Sequence, residues 1–241
     1  MIDIHCHILY GVDDGAKDLE MSVEMLWEEA KQGVTDVILT PHYRRGMFAY
    51  DPELVAKNYD ELYDEVSKRG IPIGLYLGCE YHVDSDMLYN LRSNRCYTLA
   101  GTEYCLTEYE YGASFDHMLR TTKWLVAAGY IPIIAHAERC DCIGKRPELL
   151  SELRAGGSLI QINADAVIGK DGGLFASRLC DRIIKEGNAD LVASDAHNTT
   201  KRMIHMKECW DRISSKHGEE TAERLMDINP GEIIRFAPEW V

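Results

Sequence analysis

Hydrophobic positions along the chain follow two alternating rhythms. Short β-branched or apolar runs lie at 2–9 (IDIHCHIL), 36–42 (DVILTPH), 73–81 (IGLYLGCEY), 104–110 (YCLTEYE), 131–138 (IPIIAHAE), 158–166 (SLIQINADA) and 190–197 (DLVASDAH). Longer amphipathic stretches separate them, near 18–32, 52–69, 114–128, 146–155, 175–186 and 201–214. The first rhythm predicts strands and the second predicts helices. Asp51 ahead of Pro52, and Ser114, offer N-caps, while Gly33, Gly70 and Gly129 stand where helices should stop. No linker or low-complexity segment interrupts the alternation, so residues 1–241 read as one α/β domain on a parallel sheet.

Each predicted strand ends in groups able to carry chemistry. In order they are His5 with His7, His42, Glu80, Glu108 with Glu110, His136, Asn163 with Asp165, and Asp195 with His197. A parallel barrel gathers its C-terminal strand ends at one mouth, whereas an open sheet spreads them along a crevice. A closed or nearly closed barrel is therefore expected. Residues two apart share a face of a strand, so His5 and His7 point into the barrel and Cys6 points away. Asp195 and His197 repeat that geometry. Five imidazoles and several carboxylates exceed the needs of one four-coordinate ion. They imply two or three divalent ions sharing a bridging carboxylate, and the mixed donor set suits manganese, iron(II) or zinc better than calcium. Periodicity leaves Glu108 and Glu110 equivalent. His82 reads as a supporting or surface residue, and His117, His205 and His217 as ordinary ones.

Composition narrows the function classes. A formal net charge of −14 and a pI of about 5.1 disfavour nucleic acid as a partner. No apolar run reaches the ~18 residues of a membrane span, so no membrane insertion is expected, and Met1 enters a strand-like run without a basic leader. Eight cysteines lack the spacing of a disulfide scaffold and read as reduced thiols of a cytoplasmic protein. Cys140 to Arg146 matches the C-x5-R spacing of cysteine phosphatases. Its glycine falls at the fourth position after Cys140, not the third, which argues against a thiol nucleophile.

In combination, HCH, TPH, GCE, the strand-four glutamate, HAER and SDAHN resemble the polymerase-and-histidinol-phosphatase (PHP) superfamily. MIDIHCHILYGVDDGAKD, TPHYRRGMF, LGCEY, HAER, QINA and ASDAHN are similar to its bacterial protein-tyrosine-phosphatase branch, which serves capsule and exopolysaccharide synthesis. The resemblance implies the PHP fold, a distorted (β/α)7 TIM-like barrel. It also implies three divalent ions, commonly manganese, and hydrolysis of phosphotyrosine on a partner bacterial tyrosine kinase. The ligands implied by motif are His5, His7, Asp14, His42, Glu80, Glu108, His136, Asp195 and His197. Only the resemblance selects Asp14 over Asp13, and LTEY favours Glu108 over Glu110. Arg139 and Arg202 are implied to grip the non-bridging phosphate oxygens, with Arg44 and Arg45 as alternatives. Hydrolysis would proceed by attack of metal-activated hydroxide, with Glu80 as bridging candidate. The leaving tyrosinate would take its proton from an ion-bound water or from His42. The rival reading is a small-molecule phosphatase of the same superfamily, acting on histidinol phosphate. The segment 217–226 and the tail EIIRFAPEWV are expected to pack on the barrel or to form an interface.

Overall fold

The structure, a computed structural model, describes residues 1–48 and 51–237. β1 (Ile2–Cys6) leads to α1 (Leu19–Lys31), then to β2 (Asp36–Leu39) and the short β3 (His42–Tyr43). α2 (Pro52–Arg69) returns the chain to β4 (Gly74–Leu77) and β5 (Glu80–His82). α3 (Met87–Arg92) precedes β6 (Tyr104–Glu108), and α4 (Phe115–Ala127) precedes β7 (Ile131–Ile134). α5 (Asp141–Lys145) and α6 (Leu149–Ala155) lead to β8 (Leu159–Asn163); α7 (Ala164–Ile168) and α8 (Gly173–Lys185) lead to β9 (Leu191–Ala193). α9 (Met206–His217), α10 (Glu219–Glu223) and α11 (Asn229–Ile234) follow.

Local chemistry sets several boundaries. Asp51 accepts from the N–H of Glu53 and Ser114 from that of His117, capping α2 and α4. Gly70 ends α2 at φ 64°, in the left-handed region. Two helices start later than their hydrophobic pattern predicts. α6 begins at Leu149 because Arg146, held extended ahead of Pro147, leaves the helical region. α9 begins at Met206 because Asn198 Oδ1 accepts from the backbone N–H groups of Thr200, Lys201 and Arg202, holding them in a turn.

All strand pairings are parallel, in the orders β1-β2-β4 and β3-β5-β6-β7-β8-β9. Pro41 has no N–H to give and separates β2 from β3. The ladder continues across the break, with Gly78 N–H on Leu39 O at 2.8 Å and Glu80 N–H on Pro41 O at 3.1 Å. At the far edge, Asp195 N–H donates to His5 O and His7 N–H to Ala196 O, both at 2.8 Å. These bonds tie the end of the last strand to the first, and the sheet is curled.

Alternation along the strands separates two apolar layers. Ile2, Ile4, Ile38, Leu106, Ile133, Ala135, Leu191 and Ala193 meet in one buried cluster on the concave side. Their neighbours Val37, Leu39, Ile134, Ile160, Ile162 and Val192 pack with helix residues such as Leu26, Leu62, Met118 and Ile183. The concave layer is tight at Gly78, where a Cβ would lie 2.7 Å from Leu99 Cδ2. Ile233 of α11 joins the same layer, so this part of the tail packs on the sheet. Positions 238–241 of that tail lie outside the described residues. No helix among the described residues is long and apolar enough to cross a membrane.

β1 departs from simple alternation. Ile2 and Ile4 face inward, which would place Cys6 inward as well. A register shift between Asp3 and Cys6 changes the phase. Cys6 joins the helix-facing layer, and the rings of His5 and His7 turn toward the concave side beside Glu80.

Candidate metal centre

Polar groups replace apolar ones at the C-terminal ends of the inward-facing rows. In β6 the row runs Leu106 to Glu108. In β8 it runs Gln161 to Asn163. Beyond β9 it runs Ala193 to Asp195. The convergence point is one carboxylate oxygen, Glu80 Oε2. It lies 3.3 Å from His5 Nε2, 3.3 Å from His7 Nε2 and 2.9 Å from His42 Nδ1. The other oxygen, Oε1, meets His136 Nε2 at 2.8 Å. Asp195 Oδ1 stands 3.6 and 3.5 Å from the same nitrogens of His5 and His7. Asp14 Oδ1 is 3.6 Å from both His42 Nε2 and His197 Nε2.

Three sets of side chains present their donor atoms within 4.8 Å of one another: His7, Asp14, His42 and His197; His5, His7 and Glu80; and His42, Glu80 and Glu108. Seven of the nine sequence-derived ligands fall in these sets. The other two, His136 and Asp195, border them through Glu80 and through His5 and His7. Glu110, the alternative to Glu108, turns outward, 76% exposed and 4.0 Å from His82 Nε2.

The donor atoms fit divalent cations. His5 Nε2, His7 Nε2, His42 Nδ1 and Glu80 Oε2 are buried without a hydrogen bond among the described residues. Buried polar atoms are as a rule paired, so four orphans at one point mark a place for a ligand. Imidazole nitrogen mixed with carboxylate oxygen is a first-row divalent donor set. Tautomers agree at three of the rings, His7, His5 and His197, which use their other nitrogen on an acceptor. His7 Nδ1 meets Asp13 Oδ2 at 2.7 Å, His5 Nδ1 meets Gln161 Oε1 at 3.1 Å, and His197 Nδ1 meets Asp195 O at 2.9 Å.

Charge follows the same arrangement. Burial acts to raise the Glu80 pKa, but His5 and His42 override it and hold the carboxyl well below its usual range. Burial is likewise overridden at Asp195, by His5, His7 and the two arginines. Burial, then the neighbouring His7, push His197 down to about 2. Backbone strain also gathers here: His136 at φ 32° and Asp195 at φ 53° are non-glycine residues in the left-handed region.

Arg139 and Arg202 both reach Asp195 Oδ2, at 2.8 and 2.7 Å. Arg139 also holds Asp171, and Arg202 approaches His197 Nε2 at 2.6 Å. With Lys170 and Lys201 they line a cavity of about 180 Å³ beside Asp195. Arg44 lines a different cavity, of about 360 Å³, over Glu108 and His82. Arg45 is drawn off by Asp86 at 2.7 Å.

Sequence reasoning missed the residues that hold the ligands. Asp13 is one. It takes the N–H of His42 at 2.9 Å and of Gly15 at 2.9 Å besides orienting His7. A Cβ at Gly15 would lie 2.0 Å from His7 O, so only glycine fits under the loop. Gln161 is the second, and its inward position two before Asn163 was the available signal. His82, expected as a supporting or surface residue, holds Glu108 Oε2 at 2.9 Å. Cys140 is buried, its thiol pushed up to about 12 mainly by that burial, so it offers no ready thiolate.

The family model described as capsular polysaccharide synthesis, CpsB/CapC, matches residues 1–235. The chain is 34% identical to the tyrosine-protein phosphatase YwqE of Bacillus subtilis, over 94% of this chain and 89% of that one. It is 30% identical to the tyrosine-protein phosphatase CpsB of Streptococcus agalactiae, over 98% of each. A crystal structure from work on YwqE of Bacillus subtilis and CpsB of Streptococcus pneumoniae, described as unique metal-dependent tyrosine phosphatases, superposes with a TM-score of 0.91 at 31% identity. It is covered over 98% of this chain and 94% of that one. An organophosphorus hydrolase from Deinococcus radiodurans shares the fold at a TM-score of 0.63 and 12% identity, covering 97% of this chain and 92% of its own.

Proposed function

The chain belongs to the CpsB/CapC family of capsular polysaccharide synthesis, and from that premise we propose that it is a metal-dependent protein-tyrosine phosphatase. The observation that carries the reading is Glu80 Oε2, ringed by His5, His7 and His42 with their facing nitrogens unpaired. Three divalent ions are assigned to the site, manganese first, with iron(II) or zinc as alternatives. His5, His7, Asp14, His42, Glu80, Glu108, His136, Asp195 and His197 would hold them. Such ions, when bound, neutralise a phosphate monoester and make water acidic enough to attack near neutral pH.

The chain's own residues then bind and orient the ester. Arg139 and Arg202 line the small cavity beside Asp195, where paired N–H groups match the non-bridging oxygens. Asp195 Oδ2 holds both guanidinium groups in place while Oδ1 faces His5 and His7. Asp13 and Gln161 keep His7 and His5 with their lone pairs toward Glu80. The physiological substrate is assigned as a phosphotyrosine segment of a bacterial tyrosine kinase. The fold is assigned as one domain over 1–241, a distorted (β/α)7 barrel whose second and third strands are each broken in two.

The test compares a phosphotyrosine peptide with histidinol phosphate, using the manganese-loaded protein. Preference for the peptide is expected, and preference for histidinol phosphate establishes the small-molecule reading instead. A Cys140→Ser variant is expected to keep its activity on the peptide. Loss of turnover with unchanged manganese content would place the thiol in the reaction.

A further inference from the structure

The ring of Phe48 lies parallel to the ring of His42, with centroids 5.1 Å apart and planes 2° from parallel. His42 is one of the residues around Glu80 Oε2, so Phe48 stands one ring away from the candidate centre. The turn that presents it is short. The N–H groups of Met47 and Phe48 both donate to Arg44 O at 3.1 Å, and Gly46 at φ 79° lets the chain reverse. Met47 beside it is 59% exposed, so the turn lies at the surface of the molecule.

We propose that Phe48 is a specificity-determining residue for the aryl group of the substrate, its ring forming the wall against which the tyrosyl ring lies. The inference rests on the phosphatase reading and extends it to the choice between aryl and alkyl phosphates. Chemistry supplies the reason. In a phosphotyrosine the ester oxygen is bonded directly to an aromatic carbon. In phosphoserine or phosphothreonine it is bonded to a saturated carbon with no ring near it. A group that tells them apart must stand within about one ring of the reacting phosphorus and present a flat apolar face. Phe48 stacks on His42 of the candidate centre and presents such a face, while Arg139 and Arg202 occupy the Asp195 side of the centre.

The stacking geometry leaves room for this role. Parallel rings in direct face contact are separated by about 3.5–4 Å. A centroid distance of 5.1 Å therefore means that Phe48 is displaced sideways over His42. That is the offset arrangement aromatic pairs prefer, and it leaves part of the phenyl face uncovered. Phe48 is itself only partly buried. A third ring in the same stack adds aromatic contact without moving His42.

The experiment uses phenylphosphonate and methylphosphonate as non-hydrolysable probes, titrated into the manganese-loaded full chain by calorimetry. Phe48→Leu is expected to weaken phenylphosphonate about three- to tenfold, the range of one aromatic pair, with methylphosphonate unchanged within about twofold. Phe48→Tyr, which keeps the ring, is expected to retain the wild-type ratio. The same contrast should appear in kcat/KM for phosphotyrosine against phosphoserine peptides. Equal weakening of both phosphonates would overturn the proposal and make Phe48 a cover for His42. Unchanged binding of both would overturn it as well. Manganese content and thermal melting of each variant report whether His42 and the fold survive. If wild type prefers histidinol phosphate to the peptide, the protein-tyrosine-phosphatase reading fails separately, and the phosphonate ratio still judges Phe48.

Discussion

A single amide, that of Gln161, sets the tautomer of His5 in the candidate centre. Its Oε1 accepts the backbone N–H of His136 at 2.7 Å, and a backbone N–H can only donate. The amide orientation is thereby fixed, and Nε2 donates to Asn163 Oδ1 at 2.8 Å. Asn163 Nδ2 passes the pattern on to Asp195 Oδ2 at 2.7 Å. His5, facing Gln161 Oε1, then carries a hydrogen on Nδ1, so its neutral form presents the Nε2 lone pair toward Glu80. Replacing Gln161 by leucine keeps a similar volume and removes the instruction. Manganese affinity, measured by calorimetric titration, is expected to fall roughly 10- to 100-fold, the usual cost of losing such a partner. Unchanged affinity with a lower melting temperature would make Gln161 a packing residue. At this scale the sequence was legible only in part. The histidines and acids at the strand ends announced themselves by type and position. Asp13 and Gln161 did not, because what marks them is the hydrogen each accepts, and that depends on a backbone phase no residue type spells out.

Between β1 and α1 lies a pair of acids. Glu29 is fully buried on α1, and neither carboxyl oxygen finds an N–H or O–H donor among the described residues. Its partner is Asp3 of β1, which already accepts from Ser194 N and Oγ, at 3.0 and 2.6 Å. Burial first, and then Asp3, raise the Glu29 pKa well above the ordinary value. The sign of the pH effect follows. The folded state keeps a proton that the unfolded chain loses above about pH 4.5, so this contact's stability is complete below that pH and drains away as pH climbs toward the raised native value. Glu29→Gln keeps a donor toward Asp3 and removes the titration. Its melting temperature relative to wild type is expected to be more favourable near pH 8 than near pH 5. An equal difference at both values would show that Glu29 does not change protonation on unfolding. Elements themselves were readable. Caps at Asp51 and Ser114 and the stops at Gly70 and Gly129 came from residue chemistry that acts locally. The phase shift in β1 and the breaks at Pro41 and Gly78 escaped, since they answer to neighbouring strands and not to the strand's own sequence.

Across the molecule, the candidate centre draws on β1, β3, β5, β6 and the segments after β1, β7 and β9, so occupancy should brace nearly the whole sheet. Ligands that bind only the folded state stabilise it by mass action. Manganese at 100 times its dissociation constant is expected to contribute about 2.7 kcal/mol, or roughly 5–10 °C in Tm for a chain of this size. A chelator should remove that increment in differential scanning fluorimetry, and manganese should restore it. A melting temperature indifferent to both would separate the cluster from metal. The closure of the sheet has a further consequence, which concerns time. His5 and His7 reach their final partners through bonds to Asp195 and Ala196, close to 190 residues later. At about 5–20 residues per second, a ribosome needs roughly 10–40 s to travel between them. Throughout that interval the nascent chain carries two of its histidines on an unfinished edge. The first residues of the centre to be made are among the last to be completed, and a truncated product can own most of the ligands without owning the site.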